Sequence, residues 1–191
     1  MRRAGMLFGM MSLVAVLLIS LNADSSAERI VGGQARQAPQ PGPEMQRLSF
    51  LIGTWDTQSE YEKTPMAPNG GKQTGWYKAQ LGPGGFSVIA DLEEDSPAGK
   101  DIGHEILSWD PKKGAYTIVV VGNGFPGAAM GIAKWEGDNL VILNEIGEGA
   151  SAAHLRAVYL HPQGNVLHIE ESVSVGDAPY QLMYKATATK K

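Results

Sequence analysis

The chain has 191 residues, with 16 basic and 20 acidic side chains, a formal charge of −4 and no cysteine. This acidic balance argues against a surface for nucleic acid or for anionic membranes, so we expect no nucleic-acid partner. The lack of cysteine excludes disulfides, a Cys-ligated metal site, a cysteine nucleophile and a lipidated cysteine.

The first 27 residues have the pattern of a secretory signal peptide. Arg2 and Arg3 give a positive start, an apolar run spans Met6 to Leu21, and small residues end the segment at Ala27. The apolar run is shorter than the roughly 20 residues that span a bilayer, so we expect no stable membrane anchor. Removal of residues 1–27 would leave 14 basic and 19 acidic residues, a formal charge of −5. The sequence therefore predicts an exported protein, periplasmic or extracellular.

Residues 28–42 are rich in Gln, Ala, Pro and Gly and contain almost no large apolar side chain after Val31. Such a segment buries too little surface to order itself, so it is predicted to be a flexible tether. A short helix is predicted from Pro43, with Glu44 in its first turn and with Met45 and Leu48 on one face.

From Leu51 onward the hydrophobic period changes from helical to two. Leu51, Trp55 and Tyr61 alternate with polar residues, and nine further segments with strand character follow. Short turns rich in Gly, Pro, Asp and Asn separate many of these segments, which favours antiparallel neighbours. The sequence thus predicts an all-β domain over residues 43–191, an antiparallel meander barrel of about ten strands with a short N-terminal helix.

Three motifs carry a family resemblance. Leu51–Trp55 contains Gly53-Thr54-Trp55, and Gly103–Pro111 and Gly131–Asp138 follow later in the chain. Together they resemble a bacterial family of exported lipocalin-like (calycin-type) β-barrels, which implies the barrel fold but no particular ligand. In lipocalins an arginine of the last strand usually packs over this tryptophan. The last strand here has no arginine, so the resemblance implies that Lys185 takes this place or that the contact is missing.

The segment Gly122–Gly127 matches the glycine fingerprint of dinucleotide-binding folds and follows a strand. The helix that this fingerprint requires would contain Gly131, and too few residues follow for a doubly wound sheet. We interpret the segment as a loop between antiparallel strands.

The four histidines show no recognised metal spacing. His161 lies in a turn, His168 is predicted to face outward, and His104 shares a face with Ile102 and Ile106 and is predicted to be able to face inward. A nitrobindin-like haem barrel, which holds haem through one inward histidine, is a less favoured alternative. Trp55 is not followed by the glycines that such barrels have, and we expect no cofactor.

Alternation places one set of apolar and aromatic residues on the inner wall, including Val88, Ile118, Leu155 and Leu182. Glu171 shares the face of Leu167, Ile169 and Val173, so it is predicted to be a buried charge that needs a partner. The candidate ligand-binding residues are Trp55, Tyr61, Phe86, His104, Tyr116, Tyr159, Glu171 and Tyr184.

The sequence leaves three functions open. The first is an exported barrel that binds a small apolar or amphipathic ligand, with no catalysis expected. The second is a barrel with a packed core that works through its surface as an interaction or structural protein of the cell envelope. The third is a haem or other redox barrel, or an isomerase-like enzyme that uses His104 or Glu171. Neither the oligomeric state nor the identity of the ligand follows from the sequence.

Overall fold

The computed structural model describes residues 39–64, 68–96, 99–147, 149 and 152–191. The predicted signal peptide and residues 28–38 of the predicted tether lie outside the described residues. Pro39–Lys191 forms one compact unit. No helix among the described residues is long and apolar enough to cross a membrane.

The chain enters the domain through helix α1 (Pro43–Arg47) and a 3₁₀ turn (Ser49–Leu51). Ten strands follow: β1 Gly53–Tyr61, β2 Gly71–Leu81, β3 Ser87–Ser96, β4 Gly99–Asp110, β5 Ala115–Gly122, β6 Ala129–Glu136, β7 Asn139–Ile146, β8 Ala153–Tyr159, β9 Val166–Val175 and β10 Gln181–Lys190. Each strand pairs antiparallel with the next, and β1 also pairs with β10, so the sheet closes into a barrel. The predicted ten-stranded meander barrel with a short N-terminal helix is confirmed.

Closure follows from the sequence pattern. The two-residue period gives each strand an inner and an outer face, and the connections between described strands are short enough for antiparallel pairing. Gly122–Gly127 connects β5 to β6, which pair antiparallel. The interpretation of this glycine-rich segment as a loop is therefore correct, and no strand–helix unit for a dinucleotide is present at this point.

Helix α1 and the 3₁₀ turn cover one end of the barrel. Met45 of the helix, Leu51 of the turn and Leu48 between them are buried against inward residues from most of the strands, among them Trp55 and Tyr116. Tyr116 donates a hydrogen bond from its hydroxyl to the carbonyl oxygen of Glu44 at 2.7 Å. This half of the barrel is a packed core, and the helix is held to it by both apolar burial and a hydrogen bond.

Trp55 is the central residue of this core and is 2% exposed. Its indole Nε1 donates a hydrogen bond to the Leu51 carbonyl oxygen at 2.9 Å, and Lys190 Nζ lies 5.2 Å from the ring centroid. A Cβ at Gly53, where φ is +131°, would lie 2.7 Å from Lys190 Cε, so glycine makes room for the lysine stem. The cation over Trp55 is thus Lys190. The expectation for Lys185 is wrong, because Lys185 faces outward and pairs with Glu170 at 2.9 Å.

We predict that Trp55→Ala lowers the free energy of unfolding by about 3–5 kcal/mol, because it removes the largest buried side chain and leaves the Leu51 carbonyl without its donor. Urea denaturation followed by circular dichroism measures the loss. Trp76→Ala is the matched control. Trp76 lies on the outer face of β2, which also carries the exposed Lys72 and Lys78. The control should cost about 1 kcal/mol or less. Equal losses for both variants would contradict the central role of Trp55.

Candidate ligand-binding site

A cavity of about 80 Å³ lies inside the barrel on the far side of Trp55 from the helix, and we call it the interior cavity. Inward side chains of β1–β4 and β8–β10 line it. The lining residues are Trp55, Thr57, Ser59, Tyr77, Leu92, Glu94, Glu105, Tyr159, Leu167, Ile169, Tyr184, Ala186 and Ala188. The wall therefore combines aromatic rings, aliphatic side chains and carboxylates.

The cavity exists because two neighbouring strands present small side chains to the interior. In the pairing of β1 with β10, Thr57 lies opposite Ala188 and Ser59 lies opposite Ala186. An interior packed to native density would need larger residues at some of these positions. The volume provides room for about five to eight water-sized groups, at roughly 10–15 Å³ for each.

One interior carboxylate, Glu94, belongs to a polar network. It accepts hydrogen bonds from Thr57 Oγ1 at 3.0 Å and from Gln73 Nε2 at 2.7 Å. Gly75 lies opposite Glu94 on β2, and a Cβ there would come within 2.1 Å of the Glu93 carbonyl oxygen. Glycine at this point lets β3 approach β2 closely, and this brings Glu94 to its two donors.

The other two interior carboxylates are less well bonded. Glu171 accepts one hydrogen bond, from the Tyr184 hydroxyl at 2.9 Å. Glu105 lines the cavity and accepts no hydrogen bond from any described residue. Both keep some accessible surface although protein surrounds them, which is consistent with an open internal space beside them. Among the described residues that line the cavity, none is basic.

Burial controls the protonation of these groups. Desolvation raises the pKa of Glu105 to about 7, and the nearby Glu171 and Glu94 add to the effect. Desolvation also raises the pKa of Glu171 to about 7, against the opposing hydrogen bond from Tyr184. The pKa of Glu94 is raised by burial, and its hydrogen bonds from Thr57 and Gln73 oppose that rise. Near neutral pH the cavity therefore holds carboxyl groups close to the midpoint of their titration.

Tyrosines surround the same carboxylates. The pKa of Tyr77 is raised by burial first and by Glu105 second, and Tyr159 shows the same order of causes. Both rings line the same cavity as Glu105. Tyr61 packs against Tyr184, with ring centroids 4.8 Å apart.

The structure separates the eight predicted site residues into groups. Trp55, Tyr159 and Tyr184 line the interior cavity, and Glu171 adjoins it through its hydrogen bond to Tyr184. Tyr61 packs with Tyr184 and the smaller core cluster toward the other end. Tyr116 faces inward but belongs to the helix-end core. Their participation in binding stays a prediction.

Two of the predicted residues lie outside the barrel interior. His104 was expected to be able to face inward, but it lies on the outer face of β4 and pairs with Asp91 of β3. Ile102 and Ile106 share that face and are 45% and 44% exposed, so their apolar character gave the wrong orientation. Phe86 follows the 3₁₀ turn Pro83–Gly85 before β3 begins and is 39% exposed.

The remaining histidines are also outside. His154 pairs with Glu145 at 3.5 Å on the outer face, and His161 and His168 are exposed. All four histidines of the chain belong to the described residues, so no inward histidine is present to hold a haem iron. Because His104 lies outside the barrel, an isomerase-like enzyme could not use it in the interior and would depend on the interior carboxylates.

Sequence reasoning missed Tyr77, Glu94 and Glu105 as cavity residues. Glu94 faces inward, while its neighbour Glu93 pairs with Lys100 outside. The sequence did contain a signal for Glu105, because in β4 it lies on the same face as Gly103, Leu107 and Trp109. In β10 a register shift between Leu182 and Tyr184 places Met183, and not the predicted Leu182, in the buried cluster.

We predict that stability falls as pH rises from about 5 to 8. The folded-state pKa of Glu105 and of Glu171 is raised from 4.5 to about 7, so between these values the folded chain holds protons that the unfolded chain has released. Their contribution is complete below pH 4.5 and is lost through pH 7. One unit of pKa corresponds to about 1.4 kcal/mol, so the rise from 4.5 to about 7 means that Glu105→Gln should raise the free energy of unfolding at pH 8 by about 3 kcal/mol.

Urea denaturation from pH 5 to 8 measures this effect. Glu60→Gln, on the outer face of β1, is the control and should follow the wild-type curve. If Glu105→Gln keeps the wild-type dependence on pH, the assignment of Glu105 as a buried titrating group is wrong.

No protein-family model matches the chain, and no curated protein matches its sequence. Several solved structures are similar to this one, among them the following two. The crystal structure of Rv2717c from M. tuberculosis has a TM-score of 0.56 and 18% sequence identity, and the match covers 80% of this chain and 99% of that one. The S-type phycobiliprotein lyase CPES from Guillardia theta has a TM-score of 0.47 and 9% identity, over 78% and 91% of the two chains. At these identities the likeness to Rv2717c shows the fold alone, which is consistent with a lipocalin-like barrel.

Proposed function

We propose that this protein is an exported, single-domain barrel that binds a small ligand noncovalently in the interior cavity. The observation that carries the proposal is the cavity itself, which occupies one part of a barrel whose other part is tightly packed. Polar groups on its wall are arranged around an apolar surface, as in binding sites for small molecules. Protein interiors are otherwise packed with few voids larger than a water molecule.

The dimensions of the cavity narrow the predicted ligand class. Sites for drug-sized ligands typically measure about 300–1,000 Å³, whereas this cavity measures about 80 Å³. A compact molecule with one polar group and a short apolar body matches this volume. A long lipid or a flat macrocycle such as haem does not.

The packed-core alternative has support in the helix-end half, where Leu48, Val88, Tyr116, Ile118 and Leu140 are almost completely buried. It would assign the function to the outer surface and would leave the interior cavity without a role. The two functions differ in one measurable respect, because only a binding protein should lose its ligand when the cavity is filled.

We predict that Ala186→Leu abolishes retention of the natural ligand while the barrel still folds. Ala186 lines the cavity opposite Ser59, so a leucine there would occupy the space from one wall. Native mass spectrometry of protein purified from its own host, with extraction and identification of small molecules, detects the ligand. The variant should lose it and should change in stability by about 1–3 kcal/mol or less.

Thr189→Leu is the matched control, because Thr189 lies on the same strand and is exposed. The control should retain the ligand. A protein that repeatedly carries no ligand in its wild-type form would favour the packed-core alternative.

Export is the second part of the proposal, and it depends on the signal-like pattern of residues 1–27. We predict that the protein isolated from its host begins at Glu28. The intact mass and N-terminal sequence measure this directly, and substitution of Ala27 by a bulky residue such as Phe should retain the uncleaved chain. Recovery of the full-length wild-type chain inside the cell would contradict export.

A further inference from the structure

The interior cavity encloses more carboxylate than the protein neutralises. Glu94, Glu105 and Glu171 all face the interior, and the charges of Glu94 and Glu171 both raise the pKa of Glu105. Asp101 adds a fourth carboxylate beside Glu94, where Gln73 Nε2 reaches it at 3.4 Å. None of the described residues that line the cavity is basic. Buried carboxylates normally have a partner of positive charge, and the described residues on the cavity wall do not supply one.

Hydrogen bonding distinguishes the carboxylates. Both oxygens of Glu94 are occupied, by Thr57 and by Gln73. Glu171 has the Tyr184 hydroxyl on one oxygen. Glu105 is on the cavity wall and has no donor among the described residues. Glu105 is therefore the acceptor that the protein leaves open toward the cavity.

The surrounding rings match the same chemistry. Tyr77 and Tyr159 lie close enough to Glu105 for its charge to affect them, and Trp55 and Tyr184 complete the aromatic part of the wall. Aromatic faces attract cations, because the face of the ring carries partial negative charge. A carboxylate beside several aromatic rings is a favourable environment for an ammonium group.

We propose that the interior cavity binds a small organic cation, an ammonium or amidinium group on a compact apolar body, with its charge held by Glu105. This inference rests on the proposed function and specifies the ligand class. A carboxylate or phosphate ligand would add negative charge to an acidic wall that has no basic residue. A neutral apolar ligand would leave Glu105 without a donor.

A metal ion is a poorer match than an organic cation. No group of three or more His, Cys, Asp or Glu residues in the described part of the chain has a geometry that would hold a metal. Organic cations need fewer ligands, because N–H donors and the aromatic faces share the contacts. The cavity volume of about 80 Å³ limits the body of the cation to a few carbon atoms.

Calorimetric titration with three probes of similar shape tests the inference: n-butylammonium, n-butanol and butyrate. At pH 8 we expect n-butylammonium to bind at least tenfold more tightly than the other two. Binding should release protons near pH 7, because the incoming cation favours the ionised form of Glu105, and the heat should therefore depend on the ionisation enthalpy of the buffer. For the same reason the affinity for n-butylammonium should rise from pH 5 to pH 8.

Glu105→Gln should weaken n-butylammonium binding at least tenfold and reduce the proton release, while Glu60→Gln should change neither. Glu171→Gln is a second interior variant with the same expected direction, and circular dichroism confirms that each variant folds. Equal or tighter binding of n-butanol or butyrate would overturn the cation inference and leave the binding function standing. Failure of all three probes would also overturn it, whereas recovery of a natural ligand in the native mass spectrum decides the proposed function separately.

Discussion

The position of Trp55 determines how the interior of this barrel is divided. Its indole is fixed from one side by the Leu51 carbonyl and from the other by the Lys190 ammonium, and Gly53 provides the space for the lysine stem. On the helix side of the ring, Leu48, Leu51 and Tyr116 fill the barrel. On the other side, Thr57, Ser59, Ala186 and Ala188 leave it partly empty. The packed half stabilises the fold, and this allows the other half to depart from close packing.

That departure has an energetic cost, and the cost is concentrated in a few side chains. Burial of Glu105 and Glu171 opposes their ionisation, and a stability-optimised core would have apolar residues at both positions. Local violations of packing and of charge pairing are typical of functional sites, where stability is exchanged for the ability to bind or react. The hydrogen bonds from Thr57 and Gln73 to Glu94 show that the chain can satisfy an interior carboxylate. This makes the open state of Glu105 informative.

Most of the fold could be predicted from the sequence, but only part of the candidate site could. Regular alternation and short turns were sufficient for ten antiparallel strands and for the short helix, because these properties are local. The inner face of β4 was misjudged because its apolar Ile102 and Ile106 are outside while Glu105 is inside. Hydrophobicity identifies the inner face only where the interior is apolar, and it fails in a cavity with a polar wall. Neither the β10 register shift nor the contact of Lys190 with Trp55 is local, since each depends on the pairing of distant strands.

The closed ring of strands also restricts movement into and out of the interior. Each of the ten described strands pairs with a neighbour on both sides, so the wall is a closed sheet, and helix α1 covers one end. An occupant would enter and leave at the opposite end, where strands β1, β3, β5, β7 and β9 end. The residence time of a bound molecule would then depend on the width of the barrel at this end, and two ligands of equal affinity but different width would exchange at different rates.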